Sequence, residues 1–201
     1  MMSLKKLHHQ IGGIDIYLLD AILKGHYKED AIILDAGCGT GRNLKWFYNN
    51  NYTVFGVDAN AKSIAIAKEN YPNLTNNLTV QNLDVLSFND NMFDHIICSA
   101  VLHFAQNTQH FLNLFSELVR VLKPNGTLFI RMTNIEGIEN NVSLIADGVY
   151  RLPDNTNRFL LNHKLLKQVC ADFNLQLIAP FKSVNVNNER CMATIMLKKL
   201  P

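Results

Sequence analysis

The residues best suited to chemistry sit in one short stretch and at two later points. Leu34-Asp35-Ala36-Gly37-Cys38-Gly39-Thr40-Gly41-Arg42-Asn43 leads from an apolar run through three alternating glycines into a helical pattern. Glycine is needed where the backbone turns sharply and where a Cβ would block a ligand's close approach. Asp35 puts a carboxylate just before the first glycine, where it can meet a ligand's ammonium group directly or through water. Asp58 ends a second apolar run and Asp84 a third. At those ends Asp58 can accept hydrogen bonds from both hydroxyls of a ribose. Asp84 can accept from an exocyclic adenine amine while Leu83 or Val85 packs on the ring. One acidic strand end is commonly a helix cap; three in consecutive units beside a glycine loop point to a ligand crevice. The glycines read G-x-G-x-G, with Arg42 where the dinucleotide fingerprint G-x-G-x-x-G requires its third glycine. That spacing argues against a nicotinamide cofactor.

The elements that must position these groups alternate. Ile14, Tyr17, Leu18, Ala21 and Ile22 mark an amphipathic helix over 14–24, stopped by Gly25. Ala31–Asp35 is a buried-type strand, 42–49 a helix, and Tyr52–Val57 a second strand. Asn60 caps a helix over 61–69 that Pro72 helps to close. Leu78–Leu83 and Phe93–Cys98 are the third and fourth strands. Phe111, Leu112, Phe115, Leu118, Val119 and Leu122 form one helical stripe, and Pro124-Asn125-Gly126 turns into a fifth strand, Thr127–Met132. Such alternation implies right-handed crossovers and a parallel sheet with helices on both faces. All three carboxylates then line the carboxyl edge of adjacent strands, where open α/β sheets bind ligands.

The tail departs from this rhythm. After a helix over 162–173, two strand-like runs, 175–186 and 190–197, meet at Asn187-Asn188. That link is too short for a parallel crossover and predicts an antiparallel hairpin. Pro180 assigns the first run to a sheet edge. Residues 134–161 are irregular, with Val149–Leu152 and Arg158–Leu161 able to pair across Pro153-Asp154-Asn155-Thr156. A segment of that length is expected to be functional.

With 201 residues, the chain is expected to be one domain over 1–201. It has an N-terminal helical segment (1–30) and an insertion or lid (134–161). Hydrophobic residues at 48% and charged ones at 18% indicate a globular protein. A net charge of +2, with Lys and Arg scattered, disfavours a nucleic-acid partner. Cys38, Cys98, Cys170 and Cys191 are too far apart for a zinc site or a disulfide framework, so reduced thiols and a cytoplasmic location are expected. No secretory signal or membrane-length apolar run is visible, and the seven histidines suggest no metal site.

The run Asp35–Gly41, then Val57-Asp58, then Asp84 resembles the cofactor motifs of class I, Rossmann-like S-adenosylmethionine-dependent methyltransferases. Phe93–His103 and Arg120–Leu128 are similar to the later motifs of that family. The likeness covers roughly residues 31–133. The Gly41-Arg42-Asn43 ending and the run Ala100–Phe104 look closest to small bacterial enzymes of the tellurite-resistance type. The resemblance implies a three-layer, doubly wound, mostly parallel seven-stranded sheet of order 3-2-1-4-5-7-6, ending in the antiparallel hairpin. It also implies S-adenosylmethionine as cofactor, with S-adenosylhomocysteine as product. By the same resemblance Gly37, Gly39 and Gly41 line the methionine and ribose portion, and Asp58, with Ala59 beside it, holds the ribose hydroxyls. Asp84 and Val85 meet the adenine, and Ser99 and Ala100 lie near the methionine tail or sulfonium. Arg42 is either a contact to cofactor or substrate or an exposed first-turn arginine.

A sulfonium methyl group is already activated, so the protein chiefly brings nucleophile and methyl carbon together. His103, just after the fourth strand, is the candidate base; its alternative role is to cap a helix or pack beside Phe104. Substrate contacts are expected from the N-terminal helix, the loop after strand four and 134–161, with Asp15, Tyr17, Arg131, Arg151, Arg158 and Arg190 as the polar groups available. Cys98-Ser99-Ala100-Val101 lacks the Asn/Asp-Pro-Pro-aromatic run of exocyclic amine methyltransferases acting on nucleic acid. A small-molecule acceptor is therefore favoured. A noncatalytic cofactor-binding module and a protein or RNA methyltransferase remain as alternatives.

Overall fold

The computed structural model describes residues 3–201, so Met1 and Met2 of the N-terminal segment lie outside the described residues. The chain forms α1 (Leu4–Ile11), α2 (Ile16–Leu23), β1 (Ile32–Ala36), α3 (Lys45–Asn49), β2 (Thr53–Asp58), α4 (Ala61–Asn70), β3 (Leu78–Val80), β4 (Phe93–Ser99), α5 (Thr108–Val121) and β5 (Leu122–Thr133). Then come β6 (Ser143–Ala146), β7 (Val149–Arg151), β8 (Asn157–Phe159), α6 (His163–Asp172), β9 (Leu175–Leu177), β10 (Lys182–Val186) and β11 (Arg190–Lys199). The main sheet has the order β10-β11-β5-β4-β1-β2-β3, with β9 also on β11. β3, β2, β1, β4 and β5 run parallel, and β11 is antiparallel to β5. This is the mostly parallel arrangement the sequence implied.

Period-two patterning in the central strands gives the sheet two dry faces. Leu34, Ile96, Leu128, Ile130 and Ile195 pack on one face with Phe111, Phe115 and Leu118 of α5 and Leu166 and Val169 of α6. Their neighbours Ile33, Ile97, Phe129 and Met196 pack on the other with Leu18 of α2, Phe47 of α3 and Ile64 of α4. Local chemistry fixes the element ends. The Asn60 side chain accepts from the N–H groups of Lys62 and Ser63, capping α4, and Asn162 does the same for Leu165 of α6. Asn187 and Asn188 both have positive φ, 54° and 56°, which suits a two-residue turn joining antiparallel β10 and β11.

Several elements differ from the sequence reading. The predicted edge strand 175–186 is broken at Ala179-Pro180, because proline cannot donate to the ladder. Its halves, β9 and β10, pair with opposite ends of β11, so the sheet counts eight strands. The predicted third strand to Leu83 stops at Val80, and Asp84 lies in the following turn. The helix expected from residue 42 begins at Lys45. Pro124-Asn125-Gly126 is an irregularity inside β5, where the pairing with β4 shifts register between Phe93 and His95. Residues 134–161 carry a three-stranded antiparallel sheet, with Val149 opposite Phe159 and Arg151 opposite Asn157. That pairing is the one the sequence suggested, extended by β6. It has its own small core of Ile138, Leu152, Leu160 and Cys191.

Replacing Asn60 with Ala leaves two amides at the start of α4 without their side-chain acceptor. The expected loss is about 1 kcal/mol in urea unfolding, with an unchanged m-value.

Candidate functional site

The chain reverses at the end of β1 through residues that only glycine can supply. Gly37 and Gly41 have φ of 86° and 88°. A Cβ on Gly37 would lie 2.1 Å from Val101 Cγ2, and one on Gly41 2.5 Å from Tyr71 Cε2. These two are glycines for packing. Gly39 has φ of 55° and open space where its Cβ would be, so it leaves its backbone accessible to a ligand. The loop is tied to β2: the Val57 carbonyl accepts from the N–H groups of Gly37 (2.8 Å) and Cys38 (2.9 Å). Asp58 Oδ2 accepts from Gly39 N–H at 2.9 Å, and Oδ1 from Asn60 N–H at 2.8 Å.

A cleft of about 310 Å³ opens at this edge, lined by Gly37, Asp58, Ala59, Asn82, Leu83, Ala100, Val101, Phe104, His110 and Leu114. Of the residues proposed from sequence, Gly37, Asp58, Ala59 and Ala100 are brought together here. Gly39 and Gly41 form the loop behind them. Asp84 and Val85 are not in the wall. Val85 is 77% exposed, because the turn that replaces the expected strand end directs it to solvent. Asp84 pairs with His110 Nε2 at 2.9 Å, and His110 Nδ1 accepts from Gln106 N–H. That bond fixes the tautomer with its proton on Nε2, so the imidazole donates to Asp84. Asn82 and Leu83 occupy the place foreseen for Asp84 and Val85. Leu83 was offered in the sequence as a ring-packing residue. Asn82 and His110 carried no spacing signal, since His110 arrives from the first turn of a different helix.

Two buried polar groups bear on whether a charged ligand fits. Asp35 is 1% exposed, and neither carboxylate oxygen accepts a hydrogen bond from the protein. Burial pushes its carboxyl up to about 7; Arg42 opposes the shift and Asp58 adds to it. Ser99 Oγ is likewise buried without a protein partner. A sealed carboxylate of this kind costs stability unless something cationic or donating compensates it. Together with the open backbone at Gly39 and the carboxylate of Asp58, these groups fit a nucleoside bearing an ammonium tail. Burial raises the thiols of Cys38 and Cys98, so neither is a nucleophile. Among the described residues no cluster suits a metal ion, and no helix is long and apolar enough to cross a membrane.

Ala100 also borders a second cleft of about 450 Å³, with His103, Arg131, Asp154, Val186, Glu189, Arg190 and Met192. Ala100 itself has φ of 64°, a left-handed conformation unusual for alanine, and its N–H donates to the Arg131 carbonyl at 2.7 Å. His103 is buried; its ring packs on Phe104 with centroids 4.6 Å apart, and its Nδ1 has no partner. Burial, with Arg158 and Arg190 nearby, lowers its pKa to about 4 and keeps the imidazole neutral at neutral pH. Arg131 donates to the buried Asp15 at 2.9 Å and lies over the Tyr17 ring at 5.1 Å; Asp15 also faces Arg42 at 3.6 Å. Asp15 and Tyr17 therefore hold arginines, and Arg42 serves this hub rather than standing alone on the surface. Arg190 pairs with Asp154, and Arg158 covers Phe104. Arg151 contacts only Asn155 and Asn157 of its own hairpin and is outside both clefts.

Residues 34–130 match the family model described as "Methyltransferase domain". A ubiquinone biosynthesis O-methyltransferase of Rickettsia bellii is 30% identical over 130 residues, covering 63% of this chain and 52% of that protein. A probable tRNA methyltransferase 9B of Bos taurus is 34% identical over 109 residues, covering 54% of this chain and 23% of that protein. The match thus spans about half of the first relative and about a quarter of the second. Among solved structures, a SAM-dependent methyltransferase of Methanosarcina mazei superposes with a TM-score of 0.73 at 22% identity. It covers 89% of this chain and 97% of that one.

Asp35→Asn tests the buried carboxylate. The folded carboxyl stays protonated up to about pH 7, whereas the unfolded one ionises near 3.8, so the wild type loses stability as pH rises through that window. The variant removes that loss and should be about 1–3 kcal/mol more stable than wild type at pH 8 without ligand. It should also bind the ammonium-bearing ligand more weakly, as read by calorimetry.

Proposed function

We propose, on the premise that residues 34–130 carry a class I S-adenosylmethionine-dependent methyltransferase domain, that this chain transfers the methyl group to a small-molecule acceptor and releases S-adenosylhomocysteine. The observation that carries this reading is the meeting of two clefts at Ala100, one with nucleoside-binding groups and one with a neutral imidazole. The cofactor supplies a methyl group activated by the sulfonium charge. Asp58 holds the ribose hydroxyls, and Asp35 and Ser99 take the ammonium side of the methionine tail. Asn82 and Leu83 border the adenine, and His110, which lines the same cleft, pairs with Asp84 in the adjoining turn. Gly37 and Gly41 let the loop pack, Gly39 leaves its backbone open to the ligand, and Ala59 and Ala100 line the cleft.

His103 takes the acceptor's proton. A weakly basic imidazole is sufficient, because an O–H or N–H proton becomes strongly acidic as its heavy atom gains the methyl group. The segment 134–161 covers the acceptor side of a single domain over 1–201. The buried, unpaired thiols of Cys38, Cys98 and Cys191 are suited to a reducing cytoplasm. The narrower kinship with the tellurite-resistance type belongs to this proposal and rests on Gly41-Arg42-Asn43 and Ala100–Phe104. The tRNA methyltransferase likeness favours RNA as the second reading of the acceptor. The small net charge of +2 weighs against it.

Calorimetry with S-adenosylmethionine and S-adenosylhomocysteine, with NAD as control, tests the cofactor. Both sulfur compounds should bind and NAD should not. Asp58→Ala should weaken binding by about tenfold or more, the scale of a lost charged hydrogen bond. A folded protein that binds neither compound would sink the methyltransferase reading. Once an acceptor is found, turnover should show no histidine inflection between about pH 6 and 7, since His103 is already neutral there.

A further inference from the structure

The acceptor cleft has a charge pattern that methyl transfer alone does not require. Arg131 comes from β5 and Arg190 from the start of β11, and both line the cleft with His103. Each guanidinium has one carboxylate neighbour: Asp15 for Arg131 and Asp154 for Arg190. Asp15 is shared with Arg42, so one carboxylate serves two cations. Arg158, over Phe104, forms no ion pair; its Nη1 donates to the Asn157 carbonyl. In and around the cleft, four guanidiniums thus meet three carboxylates, Asp15, Asp154 and Glu189; of these groups Arg131, Arg190, Asp154 and Glu189 line the cleft itself. The Nε atoms of Arg131 and Arg190 and the Nδ1 of His103 are all buried without a protein partner. Unmet buried donors on Arg131 and Arg190 are costly and leave this wall of the cleft short of acceptors. A cleft of about 450 Å³ is the size of a small ring-bearing ligand.

We infer that the methyl acceptor is a small organic acid, its carboxylate held between Arg131 and Arg190 and its nucleophilic atom turned past Ala100 toward the cofactor cleft. The inference rests on the methyltransferase reading for the second half of that statement, and on the arginine pair alone for the first. In the transfer, a lone pair on the acceptor's oxygen or nitrogen forms the bond to the methyl carbon. The electrons of the carbon–sulfur bond return to sulfur, and the acceptor's proton passes to His103. Burial chiefly keeps His103 neutral, and the nearby Arg158 and Arg190, which add to that, also favour an anion beside it. Arg190 is the specificity-determining residue, because its carboxylate partner comes from the adjoining insertion and competes with the ligand for the same guanidinium.

The test uses the full chain saturated with S-adenosylhomocysteine, at constant ionic strength. Thermal shift and calorimetry compare benzoate, 4-hydroxybenzoate and citrate with benzamide and 4-hydroxybenzamide. At least one acid should bind about tenfold or more tightly than the amides, as expected for a charge-assisted pair. Arg190→Gln should remove that preference. Asp154→Asn, which frees the same guanidinium, should strengthen acid binding severalfold; a general loss of structure would weaken binding in both variants. Neither change should alter S-adenosylhomocysteine affinity, since neither residue lines the cofactor cleft. Intact cofactor binding with acids and amides bound alike would overturn the anionic acceptor and leave the methyltransferase reading standing. So would an RNA hairpin that binds and is weakened by Arg190→Gln while no acid is preferred. Failure of S-adenosylhomocysteine to bind would instead overturn the cofactor reading, and the acid preference would then be read in the protein alone.

Discussion

The Val57 carbonyl receives two amide protons, from Gly37 and Cys38, and the Asp58 carboxylate receives a third from Gly39. Through these bonds the end of β2 fixes the loop that leaves β1. A loop built of glycines would otherwise sample many conformations, and ordering it costs more entropy than ordering any other residue type. The neighbouring strand offsets that cost with hydrogen bonds already positioned by the parallel ladder. Once the loop is fixed, its first residue is held against Val101 and its last against Tyr71. Asp35 is sealed below the turn, and the crevice opens above it. Both clefts depend on this placement, because their common wall, Ala100, directly follows β4, the strand on the other side of β1.

The parts of this arrangement that were legible in the sequence are those with a local cause. Apolar runs ending in an acid revealed β1 and β2, and Asn60 and the stripe on α5 marked helices that form where expected. The strand order followed from the resemblance, and the antiparallel tail from the two-residue link at Asn187-Asn188. The reading failed where tertiary packing decides. Leu83 looks like a strand residue, yet it is buried in a turn, and that turn swings Val85 outward. The Asp84–His110 pair joins residues 26 apart and leaves no periodic trace. Arg131 was visible as a polar candidate, but its tie to Asp15 spans 116 residues and belongs to the fold alone.

The insertion was the least regular part of the sequence for a related reason. Its strands are three or four residues long, too short for alternation to register. What holds it is distributed: Phe159 stacks on Phe111, Thr108 Oγ1 donates to Asp147, and Arg190 reaches Asp154. Two of these contacts join the insertion to α5 and the third joins it to β11. The insertion, which brings Asp154 to the second cleft, is therefore held from more than one side.

The two clefts differ in how far along the chain their parts must travel. The bond that shapes the glycine loop closes over 19 residues, from Gly39 to Asp58. The second cleft needs Arg131 held by Asp15 across 116 residues. Loop closure over longer separations costs more entropy, and non-local pairings form later in folding. Arg190 and Met192 reach the second cleft on β11, which follows the other described strands in chain order and inserts beside β5. The cleft beside the glycine loop can thus take shape from near contacts before the second cleft has its walls.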